Sequence, residues 1–180
     1  MCVYFDKSFS TMNARRVFDR VHGEIELPPL AAAITATPEF CRLDGVRQLG
    51  GCAFVFPSAT HTRREHSIGV CHLAGRMARH LSHMRPDLVD EDDILCIQLA
   101  GLLHDLGHGP FSHLFEEYIH RSVDPHWSHE DMALRLLDAM LEAHPHLDPA
   151  SHFRSAWPTN LAFLRLLIVG LEPHRPWPGV

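Results

Sequence analysis

The chain has 180 residues, an apolar fraction of 46% and a formal charge of −6. That length makes one domain the default, and the acidic balance gives no global attraction to nucleic acid. No apolar run reaches the length of a membrane span and the opening residues are too polar for a signal peptide, so an intracellular protein with no membrane partner is expected. Five cysteines, Cys2, Cys41, Cys52, Cys71 and Cys96, lie far apart with no CxxC pair. This excludes a zinc knuckle and a disulfide framework and leaves reduced, mostly buried thiols. The compositional outlier is histidine, at sixteen residues. Some, such as His83, His144 and His146, read as surface or capping residues.

Residues 1–16 read as a polar lead-in and 17–180 as the domain. Alternation at Glu24, Ile25, Glu26 and Leu27 predicts a strand or hairpin arm within 17–27, ended by Pro28 and Pro29. Residues 30–36 are alanine-rich and helix-prone. Thr37 as N-cap and Pro38 at the first helical position open a helix over about 38–46 that buries Phe40 and Leu43. Gly50 and Gly51 stop it, and a short apolar run covers 52–56. A long helix is expected over 63–84, with Ile68, Cys71, Leu73, Met77, Ala78 and Leu81 recurring at helical spacing. Residues 90–93 form an acidic helix start that suits the helix dipole, and a core helix follows over 94–106. Further helices are predicted over 112–120, 129–143 and 159–170. For the second of these, Ser128 is the N-cap and Asp131 completes an approximate capping box. Met132, Leu136, Leu137, Met140 and Leu141 fall on one side of it. The fold class is all-α with a short β-hairpin arm near the N-terminus.

The stretch LAGLLHDLGHGPFSH at 99–113 concentrates metal-seeking residues. His104 and His108 are four apart and would share one helix face. Asp105 lies in an otherwise apolar segment, where burial without a partner costs on the order of several kcal/mol; a cation supplies the partner. Gly107, Gly109 and Pro110 then break the helix and turn the chain at the site. One histidine on a half-buried helix is usually structural; the local set is what points to a metal. Arg63, Arg64 and His66 at the start of the long helix, and His129 and Glu130 at the start of a later one, add candidates. Nitrogen and carboxylate donors suit a catalytic transition metal such as Fe, Mn, Zn or Ni. Calcium would want mostly oxygen, and the absence of thiolates argues against structural zinc. Such a metal polarises a phosphoryl oxygen, Arg63 clamps phosphate oxygens bidentately, and His129 protonates the leaving oxygen. The substrate expected is a phosphate ester. Arg63 and Arg64 are equally explained as solvated charges and Glu130 as a dipole partner. Gln48 and Leu49 carry no signal by themselves.

His66 followed by His104-Asp105 resembles the HD-domain metal phosphohydrolases. HGEIELPPL (22–30), TPEFCRL (37–43), QLGG (48–51), VFP (55–57), REHSIGV (64–70), AGLLHDLGHGPFSH (100–113) and WSHE (127–130) resemble a narrower family. That family is the deoxynucleoside triphosphate triphosphohydrolases that join a sterile alpha motif to an HD domain. The likeness covers 17–143 and more faintly 168–172, and the sterile alpha motif is not in this sequence. It implies cleavage of a dNTP to a deoxynucleoside and inorganic triphosphate. By motif, His66, His104 and Asp105 would hold the metal, with Mg possible on the phosphates. Arg63, His108 and His113 would contact substrate, and His108, His113, Glu116, His129 and Glu130 would form the catalytic group. Gln48 and Leu49 would touch the deoxyribose and reject a 2′-hydroxyl.

Three departures from the family stand out. Glu116 replaces an aspartate. The nucleotide-activator positions read Ala36, Cys41 and Asp44 in place of Asp, Gln and Arg, so a guanine-nucleotide activator and the tetramer it drives are not expected; a homodimer is. The family's last metal ligand is an aspartate further from the HD pair than the residues that follow Asp105 here, with Asp138 as the internal carboxylate that could stand in. The reading is therefore the amino-terminal part of an HD domain. The family also implies a nuclear location and a possible single-stranded nucleic-acid partner. Rival readings are an HD phosphohydrolase acting on another nucleotide or phosphate ester, and a catalytically silent nucleotide- or nucleic-acid-binding fragment.

Overall fold

The computed structural model describes residues 15–170. The expected lead-in therefore lies outside the described residues except for its last two positions, where the hairpin has already begun. Strands β1 (Arg15–Asp19) and β2 (Gly23–Leu27) pair antiparallel, with Val17 opposite Ile25. Asp19 Oδ1 accepts from the Val21 and His22 N–H groups, each at 2.8 Å, and closes the turn. Alternation does what the sequence implies: Ile25 and Leu27 are buried and Glu24 and Glu26 face water.

Helix α1 (Pro29–Ile34) and the single turn α2 (Pro38–Cys41) follow. Thr37 caps α2 by accepting from the Phe40 N–H, as Thr-Pro predicts. The expected helix to 46 is cut short, because the chain tightens into a 3-10 turn over Arg42–Gly45; Phe40 and Leu43 are nonetheless fully buried. The apolar run at 52–56 is not a core segment. It forms a 3-10 turn over Gly50–Phe54 that leaves Phe54, Val55 and Phe56 in solvent.

Helix α3 (Arg63–Met84) has the predicted bounds and opens on a capping box in which Thr62 and Glu65 satisfy each other's backbone N–H. Its buried stripe is Ser67, Ile68, Cys71, Gly75 and Ala78, whereas Leu73, Met77 and Leu81 are exposed. The apolar period is real but wider than the contact, which is a narrow seam against α4 (Glu91–Leu103). Gly75 sets that seam: a Cβ there would lie 2.4 Å from Gln98 Nε2.

Helix α4 is the core element and buries Ile94, Cys96, Leu99, Ala100, Leu102 and Leu103. It ends at Leu103, three residues before the expected end, with His104 as C-cap donating its N–H to the Ala100 carbonyl at 2.9 Å. The last helices are α5 (His113–Ser122), α6 (His129–Ala143) and α7 (Trp157–Val169). Ser128 caps α6 by accepting from the Asp131 N–H at 3.0 Å. Ala133, Leu137 and Met140 are its buried face, while Met132, Leu136 and Leu141 line the edge. Helix α7 packs on α4 through Leu164 and Ile168. Asp92, buried in the first turn of α4, ties these helices together by accepting from the Arg154 and Ser155 N–H groups and the Ser155 hydroxyl.

Cys71 and Cys96 are buried, and burial pushes both thiols up to about 12, so they are inert at neutral pH. Cys41 is partly buried and Cys52 is exposed, against the expectation of mostly buried thiols. Cys2 lies outside the described residues.

Candidate metal centre and phosphate site

His66 sits one turn into α3, and His104 and Asp105 sit where α4 ends, so the seam between the two helices brings them together. His66 Nε2 lies 3.3 Å from His104 Nε2, and each lies 3.4 Å from Asp105 Oδ2. His104 Nδ1 donates to the Gly101 carbonyl at 2.8 Å. That bond assigns the ring proton to Nδ1, so a neutral His104 presents the Nε2 lone pair to the other two residues. Burial lowers the pKa of His66, only partly countered by Asp105, with His104 and Arg63 lowering it further. Two imidazole nitrogens that converge with one carboxylate oxygen are a donor set for a divalent cation, and all three ligand atoms lie within 4.8 Å of one another.

Asp105 is buried, which by itself raises its pKa. His108, His104 and Arg63 outweigh burial and hold the carboxyl well below the usual carboxylate range. Arg63, also buried, donates from Nη1 to Asp105 Oδ2 and from Nε to Ser112 Oγ at 2.9 Å. Its Nη2 is buried and has no hydrogen-bond partner among the described residues. The expected bidentate phosphate clamp is thus reduced to one free nitrogen, because Asp105 occupies the other arm.

The expectation that His104 and His108 act on one helix face is corrected. With α4 finished at Leu103, residues 104–108 turn, and His108 joins a second group formed with His113, Glu116 and His129. His108 is fully buried and stacks on His129 with ring centroids 3.9 Å apart. Its Nε2 lies 3.3 Å from Asp105 Oδ1, and neither of its ring nitrogens makes a hydrogen bond among the described residues. Glu116 accepts from His113 Nδ1, His129 Nδ1 and the His129 N–H, each at 3.1–3.2 Å. Burial raises the Glu116 carboxyl, but the bonds from His129 and His113 prevail and bring it to about 2. The glutamate that replaces an aspartate therefore still reaches both histidines. His129 Nε2 lies 3.3 Å from Glu130 Oε1. Gly107 allows α6 to approach this turn, since a Cβ there would lie 1.9 Å from the His129 carbonyl.

Gln48 and Leu49 sit on the neighbouring loop, where Arg47 bridges Thr62. Gln48 Oε1 is buried and has no hydrogen-bond partner among the described residues, and Leu49 is half exposed. Asp138 belongs to neither group and is ion-paired with Arg165 on α7. Of the residues at which the resemblance expects an activator, Asp44 is ion-paired with Arg64 and Ala36 is exposed. Two residues that no sequence argument singles out also shape the site. Arg42 donates to the Leu106 and His108 carbonyls and holds the turn between them. Ser112 bonds Arg63 and the Arg47 carbonyl. The only sequence signal for either is membership of a matched motif.

The HD domain family model matches residues 63–165, from the first residue of α3 into α7. The chain is an HD-domain protein. This HD domain is 42% identical to the deoxynucleoside triphosphate triphosphohydrolase SAMHD1 of Bos taurus over 161 residues, covering 88% of this chain and 27% of that protein. It is 46% identical to the Mus musculus protein of the same name over 140 residues, covering 76% and 21%. It is 40% identical to the putative HD domain-containing protein L394 of Acanthamoeba polyphaga mimivirus over 124 residues, covering 61% and 27%. The HD domain described here spans about a quarter of the length of the curated relatives it matches. No helix among its described residues is long and apolar enough to cross a membrane.

Proposed function

We propose that this HD domain carries the metal- and triphosphate-handling face of a dNTP triphosphohydrolase that releases a deoxynucleoside and inorganic triphosphate. The observation that carries the reading is the position of Asp105, whose Oδ2 faces His66 and His104 and whose Oδ1 faces His108. One carboxylate thus joins a three-donor metal group to a histidine–glutamate group, side by side on one wall. The relatives' name as deoxynucleoside triphosphate triphosphohydrolases supports the substrate class.

His66, His104 and Asp105 would hold the metal, and the nitrogen-rich set favours Fe, Mn, Zn or Ni, with Mg reserved for the phosphates. When bound, that metal supplies a Lewis acid toward a phosphate oxygen and lowers the pKa of water. The reaction joins a water oxygen to the α-phosphorus and breaks its bond to the 5′ oxygen, which departs as a hydroxyl after gaining a proton. We assign that proton to His113 in place of His129. Both nitrogens of His129 face carboxylates, Glu116 and Glu130, whereas His113 gives only Nδ1 to Glu116 and lies at the exposed mouth. Glu116 orients both rings. Arg63 Nη2 and His108 meet phosphate oxygens, and Gln48 Oε1, with Leu49, faces the sugar. Asp44, paired with Arg64, stands where the resemblance expects an activator-binding arginine, so activation by a guanine nucleotide is not part of the proposal. A homodimer, a single-stranded nucleic-acid ligand and a nuclear location remain proposals carried by the resemblance.

The test is metal analysis of the purified protein combined with dNTP incubation and separation of products. Stoichiometric transition metal with deoxynucleoside and triphosphate is the expected result. A monophosphate with pyrophosphate would replace this reading with another phosphohydrolase, and bound nucleotide without turnover would replace it with a binding role.

A further inference from the structure

Ser112 is buried and holds φ +57°, ψ −125°, a backbone conformation that glycine adopts freely and serine rarely does. Phe111 before it also has positive φ. The chain reverses here so that α5 starts with His113 beside His108 and His129. The Ser112 hydroxyl is used in both directions. It accepts from Arg63 Nε at 2.9 Å and donates to the Arg47 carbonyl at 2.7 Å. Three separate segments meet at this one oxygen: the start of α3, the loop that continues into Gln48, and the turn after the HD pair.

We infer that Ser112 is a positioning residue that couples the Arg63 guanidinium to the Gln48 segment. The inference rests on the proposed phosphate and sugar roles of those two residues. Among the described residues the Arg63 guanidinium makes two hydrogen bonds, to Asp105 through Nη1 and to Ser112 through Nε. With both made, the guanidinium plane is set and Nη2 is aimed; with Ser112 Oγ gone, the group pivots about Nη1. Donating and accepting together polarise the hydroxyl, which strengthens both bonds. The Arg47 carbonyl that it holds immediately precedes the Gln48 N–H, itself donated to the His61 carbonyl at 3.1 Å. Loss of the hydroxyl therefore loosens the phosphate contact and the sugar contact in one step and leaves the metal ligands in place.

Two variants separate the hydroxyl from the backbone. Ser112→Ala removes the oxygen and keeps the unfavourable φ, whereas Ser112→Gly removes the oxygen and relieves it. Both are expected to keep wild-type metal content and to bind inorganic tripolyphosphate about tenfold more weakly by calorimetry, the scale of one hydrogen bond to a charged group. Ser112→Gly should melt at or above Ser112→Ala. In turnover, the dNTP KM should rise more than kcat falls, and preference for dNTP over NTP should narrow. In an Arg63→Ala background, Ser112→Ala should weaken tripolyphosphate binding no further. Wild-type tripolyphosphate affinity in Ser112→Gly would overturn the inference, as would metal loss in both variants, additive losses with Arg63→Ala, or no tripolyphosphate binding by the unmodified protein. A protein that binds tripolyphosphate with this Ser112 dependence but hydrolyses no dNTP refutes the hydrolase reading and leaves the positioning role standing.

Discussion

His66 and His104, thirty-eight positions apart, hold their Nε2 atoms 3.3 Å from one another and each 3.4 Å from one oxygen of Asp105. Two ring nitrogens at that separation cannot both direct protons along the line between them. The Gly101 carbonyl accepts from His104 Nδ1–H, so in the neutral ring the Nε2 lone pair faces inward. The arrangement suits a cation better than it suits a hydrogen-bonded core.

Replacing His66, His104 or Asp105 by alanine should each lower metal affinity at least about 10–100-fold, the range seen even for groups behind the ligands. His83→Ala should not, because His83 is exposed and donates to the Arg79 carbonyl one turn earlier, away from both groups. Metal content of the four purified variants checks this, and equal content in all of them would refute the ligand assignment.

Gly107→Ala should be among the most damaging single-methyl changes in the chain. The added carbon meets the His129 carbonyl at 1.9 Å and the Ala133 N–H at 2.5 Å, both backbone atoms that cannot rotate away. Helix α6 must move, at a cost of about 3 kcal/mol, and His129 moves with it. Urea denaturation should show the stability loss, and tripolyphosphate binding should weaken.

GTP should neither raise turnover nor assemble the protein, since Asp44 stands where the resemblance expects an arginine and its ion pair occupies the nearby Arg64 guanidinium. Sedimentation velocity with and without GTP provides the check. A nucleotide-dependent tetramer would mean that an activator binds on another surface.

The pH dependence of stability should contain a contribution from Asp92. Burial raises this carboxyl, but donors from Arg154 and Ser155 prevail, so its pKa in the folded chain lies below the ordinary 3.8. A depressed folded pKa contributes stability that is complete above the unfolded value and is lost as pH falls through the folded one. Asp92→Asn should therefore destabilise the protein at pH 7, and the gap from wild type should shrink as pH drops below about 4. Denaturation midpoints measured across that range decide it; a gap independent of pH would refute the claim.

Local chemistry determined much of this molecule without tertiary help. Thr37-Pro38, Thr62 with Glu65, and Ser128 each satisfy backbone N–H groups within three residues, so these helix starts are readable from neighbouring letters. Alternation at residues 24–27 assigned the buried face of β2 for the same reason. The types of residue in the site were legible too, because an aspartate among leucines demands a partner wherever the chain goes. Tertiary packing decided the rest. A helical apolar period reports which residues can face inward, not how wide the contact is, so Leu73, Met77 and Leu81 fall outside the narrow α3–α4 seam. The end of α4 at Leu103 sent His104 to one group and His108 to another, a division that four-residue spacing cannot express. Ser112 meets Arg63 across 49 positions and Arg42 meets His108 across 66. Such bonds exist only once the core has brought distant backbone together, because no local signal in the chain records the distance between segments that are far apart in sequence.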